Sequence, residues 1–416
     1  MRPAIAHNRH ILLCGLFLFF AGQVSSQISD FGSVLKKTID SPSPGVFYSF
    51  SPGTVSKDYK LPLLEKLELR PLTDRMTLAR QQFSLRASFN TLKQRRSLID
   101  KQKAFLGIQD EEALSLRREG IYEVYKRYLR LARLHSEEVF LQNDLSLAEK
   151  QHNVTEQILA SGRPADLSDY LELKAAILSL KADIQDKRIH TRDLSGLLLG
   201  DTMAAVRPVS LRPDEVKNLI TDLNIDTASL FETRIKQAQL QYLDASYGAE
   251  KANAAKIFDF IQARYTVWED LIPENRFSLG FGLMFPYKGS TKLELADILT
   301  RKKIAERDIA VISRKTVEEF KLAKLEFFRK MAMYEQLRTI PADPNYLTLR
   351  AKILESGKLD PVSQQKMVRE ELNIDKKTNT AFFDALDLYL KLLHLSGKLY
   401  EEPVRNYLES GFPLIF

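Results

Sequence analysis

The sequence holds a single cysteine, Cys14, inside the apolar run ILLCGLFLFF at residues 11–20. Arg2 and Arg9 precede that run and AGQVSSQ follows it, the order of a secretory signal, with cleavage expected near Ser26. The run is too short to span a bilayer comfortably. Leu13 is not the small residue that a lipoprotein cleavage site needs before its cysteine, so lipidation is not expected. A mature chain without Cys14 has neither a disulfide nor a thiolate ligand. No later segment approaches the ~18 consecutive apolar residues of a membrane-spanning helix. Phosphate-cradling glycine loops and a nucleophile elbow are missing as well. His135, His152, His190 and His394 have no partner at helical spacing, so a metal site is not expected. The carboxylates are dispersed, and none can be paired in a shared cleft. These absences argue against an enzyme, and no cofactor is expected. The charge is also unremarkable: 61 basic against 54 acidic residues give +7, and loss of Arg2 and Arg9 leaves +5. That is a weak argument for a nucleic-acid partner, and none is expected.

Glycine and proline are scarce, with 17 and 16 among 416 residues, which favours long helices. Against that background NRFSLGFGLMFPYKG, at 275–289, is a strand. Phe277, Leu279, Phe281, Leu283 and Phe285 occupy every second position, with Arg276, Ser278, Gly280, Gly282 and Met284 between them. Three further segments alternate. Leu67 and Leu69 oppose Lys66, Glu68 and Arg70; Phe83, Leu85, Ala87 and Phe89 oppose Gln82, Ser84, Arg86 and Ser88; Ile261, Ala263, Tyr265 and Val267 oppose Gln262, Arg264 and Thr266.

The chain repeats itself. QFSLRASF at 82–89 aligns with RFSLGFGL at 276–283 at an offset of 194, and LELR at 67–70 aligns with IQAR at 261–264 at the same offset. YEVYK at 122–126 aligns with VEEFK at 317–321, and ILASG at 158–162 with ILESG at 353–357, at an offset of 195. Each half is therefore expected to be strand, strand, long helix, turn, return helix. The expected organisation is a signal peptide at 1–26 and an extended segment at 27–63. A first repeat follows at 64–200, with its hairpin at 66–90 and helices at 91–161 and 166–199. An irregular connector at 201–227 leads to a second repeat at 228–400, with a helix at 228–256, a hairpin at 258–286 and helices at 290–340 and 361–400. A tail at 401–416 ends the chain.

Residues 91–161 contain no proline and, at 1.5 Å per residue, could reach ~105 Å, with Gly107 and Gly120 as possible interruptions. Leu173, Ile177, Leu180, Ile184, Leu194 and Leu198 make a heptad-like stripe on the first return helix, and Phe382, Leu386, Tyr389 and Leu393 line the second. Gly162 and Gly357 stand where left-handed residues end helices, and Asp360-Pro361 reads as an N-cap followed by a first-turn proline.

Four strands with one apolar face need a cover. Helices seamed for one another do not supply it, and an exported chain with such strands suits an outer-membrane barrel. Four strands cannot close a barrel, and open edges are not tolerated in lipid, so copies must associate. Two copies give a barrel filled by side chains, whereas three give twelve strands and room for a pore. The charged faces favour the wetter trimer. Lys66, Glu68, Arg70, Arg86, Arg264, Arg276 and Ser278 are then expected to line the pore, with Arg86, Arg264 and Arg276 biasing it toward anions. Leu67, Leu69, Phe83, Leu85, Phe89, Phe277, Leu279, Phe281, Leu283 and Phe285 are expected to face lipid.

The signal peptide, the duplicated hairpin-plus-helix unit, the strand RFSLGFGLMFPYKG and the turn glycine followed by SDYLELKAAILSLKADI together resemble the TolC-like outer-membrane efflux family. The resemblance covers roughly residues 64–199 and 228–397. It implies a homotrimer with a twelve-stranded barrel in the outer membrane and a helical tunnel across the periplasm. It also implies docking to a periplasmic adaptor and an inner-membrane pump through the helical turns, at Gly162, Arg163, Asp169, Gly357, Lys358 and Asp360. The implied function is passive conduction of solutes or proteins, with energy supplied by the partner.

Three departures stand out. A proline-rich segment, 41–59, occupies the place of a helix before the first hairpin, so the upper tunnel wall is expected to be incomplete or differently filled. Pro341 and Pro344 are expected to kink or break the second long helix. Val362, Ser363, Gln364 and Gln365 stand where the family often has an acidic constriction, leaving Asp169 as the acidic candidate near the first turn. The competing reading is a periplasmic coiled-coil adaptor or tether without a pore, which needs helical seams but no lipid-facing strands.

Overall fold

A computed structural model describes residues 31–40, 61–73, 81–161, 167–199, 209–227, 230–267, 276–283, 288–355 and 361–415. The expected signal peptide, Phe285, and the turn residues Gly162, Arg163, Gly357, Lys358 and Asp360 lie outside them. In chain order the elements are α1 (Phe31–Asp40), β1 (Leu64–Thr73), β2 (Gln81–Phe89), α2 (Leu92–Ala160), α3 (Leu167–Leu199), α4 (Pro213–Asp222), α5 (Phe231–Ala254), β3 (Phe258–Val267), β4 (Phe277–Leu283), α6 (Lys288–Thr339), α7 (Pro344–Glu355) and α8 (Pro361–Leu395). The molecule is mainly helical, with one antiparallel sheet in the order β1-β2-β3-β4.

α2 begins at a capping box. The Gln94 backbone N–H donates to Thr91 Oγ1 at 3.2 Å, and the Thr91 N–H donates to Gln94 Oε1 at 2.8 Å. From there it runs 69 residues without a break. Gly107 and Gly120 do not interrupt it, because one glycine costs only about 1 kcal/mol and packing along the rod offsets that. The first half of α2 lies against α5, with Arg234 paired to Glu111 and Gln94 to Asn253. Its second half lies against α3, with Lys187 on Glu137 at 2.6 Å and Arg188 on Glu138 at 2.7 Å. Between these helices Leu173, Ile177, Leu180 and Ile184 bury with Leu141 and Ala148. Leu194 and Leu198 are half-buried, with Leu198 against the main core.

That core forms a belt near the middle of the rods. It joins Ile121, Tyr125 and Tyr128 of α2 to Phe320, Phe327 and Met331 of α6 and to Leu386, Tyr389 and Leu393 of α8. The C-terminal tail closes it: the Tyr125 hydroxyl donates to the Arg405 carbonyl at 2.7 Å, and the Tyr389 hydroxyl to the Tyr407 carbonyl at 3.2 Å.

Three elements depart from expectation. Within the segment expected to be extended, α1 forms because Phe31, Val34 and Leu35 make one helical stripe, and Phe31 packs edge-on against Tyr125 at 4.7 Å. Within the expected irregular connector, α4 forms because Pro213 starts a helix, Asp214 and Glu215 complement its dipole, and Val216 and Ile220 bury completely. The last helix ends at Leu395 rather than 400, where Gly397 adopts φ 76° and turns the chain. The proline break occurs as expected: α6 stops at Thr339, and α7 restarts at Pro344 with the Asp343 carboxylate accepting from the Asn345 N–H at 2.9 Å.

Candidate functional site

The sheet is the feature that packing leaves unexplained. Its register aligns the alternation of all four strands. Leu67, Ala87, Ile261 and Phe281 form one rung; Leu69, Leu85, Ala263 and Leu279 the next; Pro71, Phe83, Tyr265 and Phe277 the third. Cross-strand partners share a face, so these rungs make one continuous apolar surface. It is bare: Leu69 is 67% exposed, Leu279 71% and Phe281 70%, and Leu67, Phe83, Leu85, Phe277 and Leu283 are exposed too. Phe89, at the helix end, is half-buried opposite Leu64. Neither core cluster includes a strand residue. Among the described residues, no helix covers this face.

The intervening rungs form the polar face. Lys66, Ser88, Phe260 and Gly282 are level, then Glu68, Arg86, Gln262 and Gly280, then Arg70, Ser84, Arg264 and Ser278. Six of the seven residues expected on this face are therefore brought together; Arg276 immediately precedes β4. Glu68 accepts from both Lys66 and Arg70, the Arg70 Nε contact being 2.8 Å. The Arg86 guanidinium lies 3.5 Å over the Phe260 ring and pairs with Asp259 at 3.0 Å. A Cβ at Gly282 would come within 2.2 Å of the Phe260 ring, so any larger residue there would have to displace that ring.

Sequence reasoning missed the junction of sheet and helices. Both outer pairings slip by one residue, between Leu64 and Lys66 and between Phe258 and Phe260, which leaves Glu65 and Asp259 at bulges. Lys256, just after α5, is 7% exposed and reaches both carboxylates, Glu65 at 2.7 Å and Asp259 at 3.8 Å. The two acidic residues are 194 apart, the offset of the aligned segments, so alignment of the halves could have found them. Nothing local marks Lys256. At the far end, Asp169 is exposed in the first turn of α3. Among the described residues no helix is long and apolar enough to cross a membrane.

No family model matches this sequence, and no curated protein matches it. Solved structures do. The CmeC outer membrane channel of Campylobacter jejuni aligns with 81% of this chain and 77% of its own, at TM-score 0.60 and 11% identity. A membrane protein from Pseudomonas aeruginosa aligns over 79% of both chains at 0.59 and 16%. The outer membrane protein VceC of Vibrio cholerae aligns with 80% of this chain and 85% of its own, at 0.56 and 14%. The chain has an outer-membrane channel fold. The long rods and the small sheet belong to that one fold, and among the described residues the sheet's apolar face has no partner.

Proposed function

We propose that this chain is the outer-membrane channel component of a multi-part efflux or secretion system. Three copies close a twelve-stranded barrel in the outer membrane, continued by a helical tunnel in the periplasm. Solutes or proteins pass through it passively, and a pump in the inner membrane supplies the energy through a periplasmic adaptor. The adaptor docks at the helical turns, around Gly162, Arg163, Asp169, Gly357, Lys358 and Asp360.

The observation that carries this reading is the uncovered apolar face, in register across four strands and bounded by the two unpaired edges of β1 and β4. In lipid that face is stabilised, but each edge exposes backbone groups that nothing satisfies. Pairing β4 of one copy with β1 of the next removes the edges. The tether reading requires the same face to stand in water, against the usual limit on apolar patches. Lys66, Glu68, Arg70, Arg86, Arg264, Arg276 and Ser278 then line the pore, and the leucine and phenylalanine rungs meet lipid.

The full chain, expressed with its leader in a Gram-negative host, is expected in the outer-membrane fraction as a detergent-stable trimer that conducts ions in planar bilayers. Recovery as a soluble monomer after osmotic release would reject the channel and favour the tether.

A further inference from the structure

The polar face of the sheet carries more cations than carboxylates, and among the described residues the geometry separates those already paired from Arg264. Glu68 sits between Lys66 and Arg70 and offsets one of the two charges. Arg86 is doubly committed, to the Asp259 carboxylate and to the Phe260 ring. Lys256 is held by Glu65 and Asp259. Arg264 differs from all of these. It is exposed, its partners across the strands are Ser84 and Ser278, and among the described residues it has neither an acidic partner nor a hydrogen bond. Ser84 is 1% exposed and Ser278 is neutral, so nothing on that rung offsets the guanidinium.

We propose that Arg264 sets the charge preference of the barrel section of the pore and makes it attract anions. This rests on the channel reading above: closure by three copies puts three Arg264 side chains at one height around the lumen. There, the surplus cation of the Lys66–Glu68–Arg70 group adds to their field. A ring of one sign with low-dielectric walls raises the local concentration of counter-ions. The solutes favoured by this section are small inorganic anions and solutes carrying carboxylate, sulfonate or phosphate groups. Arg70 and Arg86 contribute less, because each has a carboxylate within contact.

The test is the reversal potential of the reconstituted trimer under a potassium chloride gradient. Arg264→Glu is expected to move it several-fold toward cations in permeability ratio, and Arg264→Lys to leave it near the parent value. A second measurement leaves Arg264 in place. Ser278→Cys, on the same rung, is modified after assembly with a sulfonate-bearing or a trimethylammonium-bearing methanethiosulfonate. The sulfonate should lower the anion preference and the ammonium should not. Conductance with reversal potentials unmoved by Arg264→Glu and by both reagents would overturn the proposal while leaving the channel reading intact. Purified trimer that does not conduct would remove both.

Discussion

His394 is the residue whose protonation the fold opposes most clearly. Its ring stacks on Tyr122 at 4.1 Å, its Nδ1 bonds the Tyr400 hydroxyl, and Phe231 approaches at 5.7 Å. Burial, helped by the Lys126 charge and opposed by Glu319 and Glu123, lowers its pKa from 6.5 to about 4. Its Nε2 lies 4.0 Å from Glu119, yet at neutral pH an uncharged imidazole makes no ion pair there. Between about 6.5 and about 4 the unfolded chain takes a proton that the folded chain refuses. Stability is therefore fully present above pH 6.5 and falls as pH drops through that window, by up to roughly 3 kcal/mol. Urea unfolding of the detergent-solubilised protein at pH 7.5 and 4.5 measures the loss. His394→Gln should flatten the part of the slope that this residue supplies, and an unchanged slope would refute the assignment. Lys256 is the other residue with an outsized role. One buried cation ties together the two bulges where strands give way to helices, and removing it would take the cation from Glu65 and leave Asp259 with Arg86 alone.

At the scale of the element, the sheet separates two kinds of position that a strand places side by side. Leu279 is on the central apolar rung and Ser278 on the polar rung beside it. Leu279→Lys is expected to destabilise insertion by about 2–4 kcal/mol, the cost of a cation near mid-bilayer, whereas Ser278→Lys is tolerated. Folding into lipid vesicles followed against urea concentration would measure both, and equal tolerance at the two positions would refute the assignment of faces. The rods follow a different rule. Their half-buried ion pairs, such as Lys187 with Glu137 and Arg369 with Asp144 at 2.7 Å, remain within reach of water and each add only modest stability. Instead, they set the sliding register of α2 against α3 and α8, which apolar stripes alone leave loose.

The whole molecule leaves a second apolar surface open. On α6, Phe320, Ala323 and Phe327 bury in the belt while Leu322 and Leu325 point away, at 67% and 69% exposure. On α3, Leu167, Leu171 and Leu178 are likewise exposed. In the trimer proposed above, these stripes are expected to meet neighbouring copies. Leu322→Glu with Leu325→Glu is expected to shift the trimer toward monomer in detergent while leaving helical content unchanged. Sedimentation and circular dichroism report the two quantities separately, and an undiminished trimer would assign the stripe to another partner.

The strands, the long rods, the proline break and the alternating faces were legible in the sequence because each is written in neighbouring residues: period two, the 3.6-residue repeat, a missing N–H. The polar face was legible to the same degree, since six of the seven residues assigned to it by parity share it in the observed register. α1 and α4 were not, because a ten-residue helix is marginal by itself and forms where Tyr125 or the belt receives its apolar side. Which cations on the sheet are neutralised was also invisible. Arg86 meets Asp259 and Lys256 meets Glu65 across 173 and 191 residues, and only the folded register brings such pairs together. The sequence by itself determined the elements and their faces, because those follow from local periodicity. The tertiary structure alone decided which charges cancel and which apolar surfaces stay bare, because both depend on contacts between distant segments.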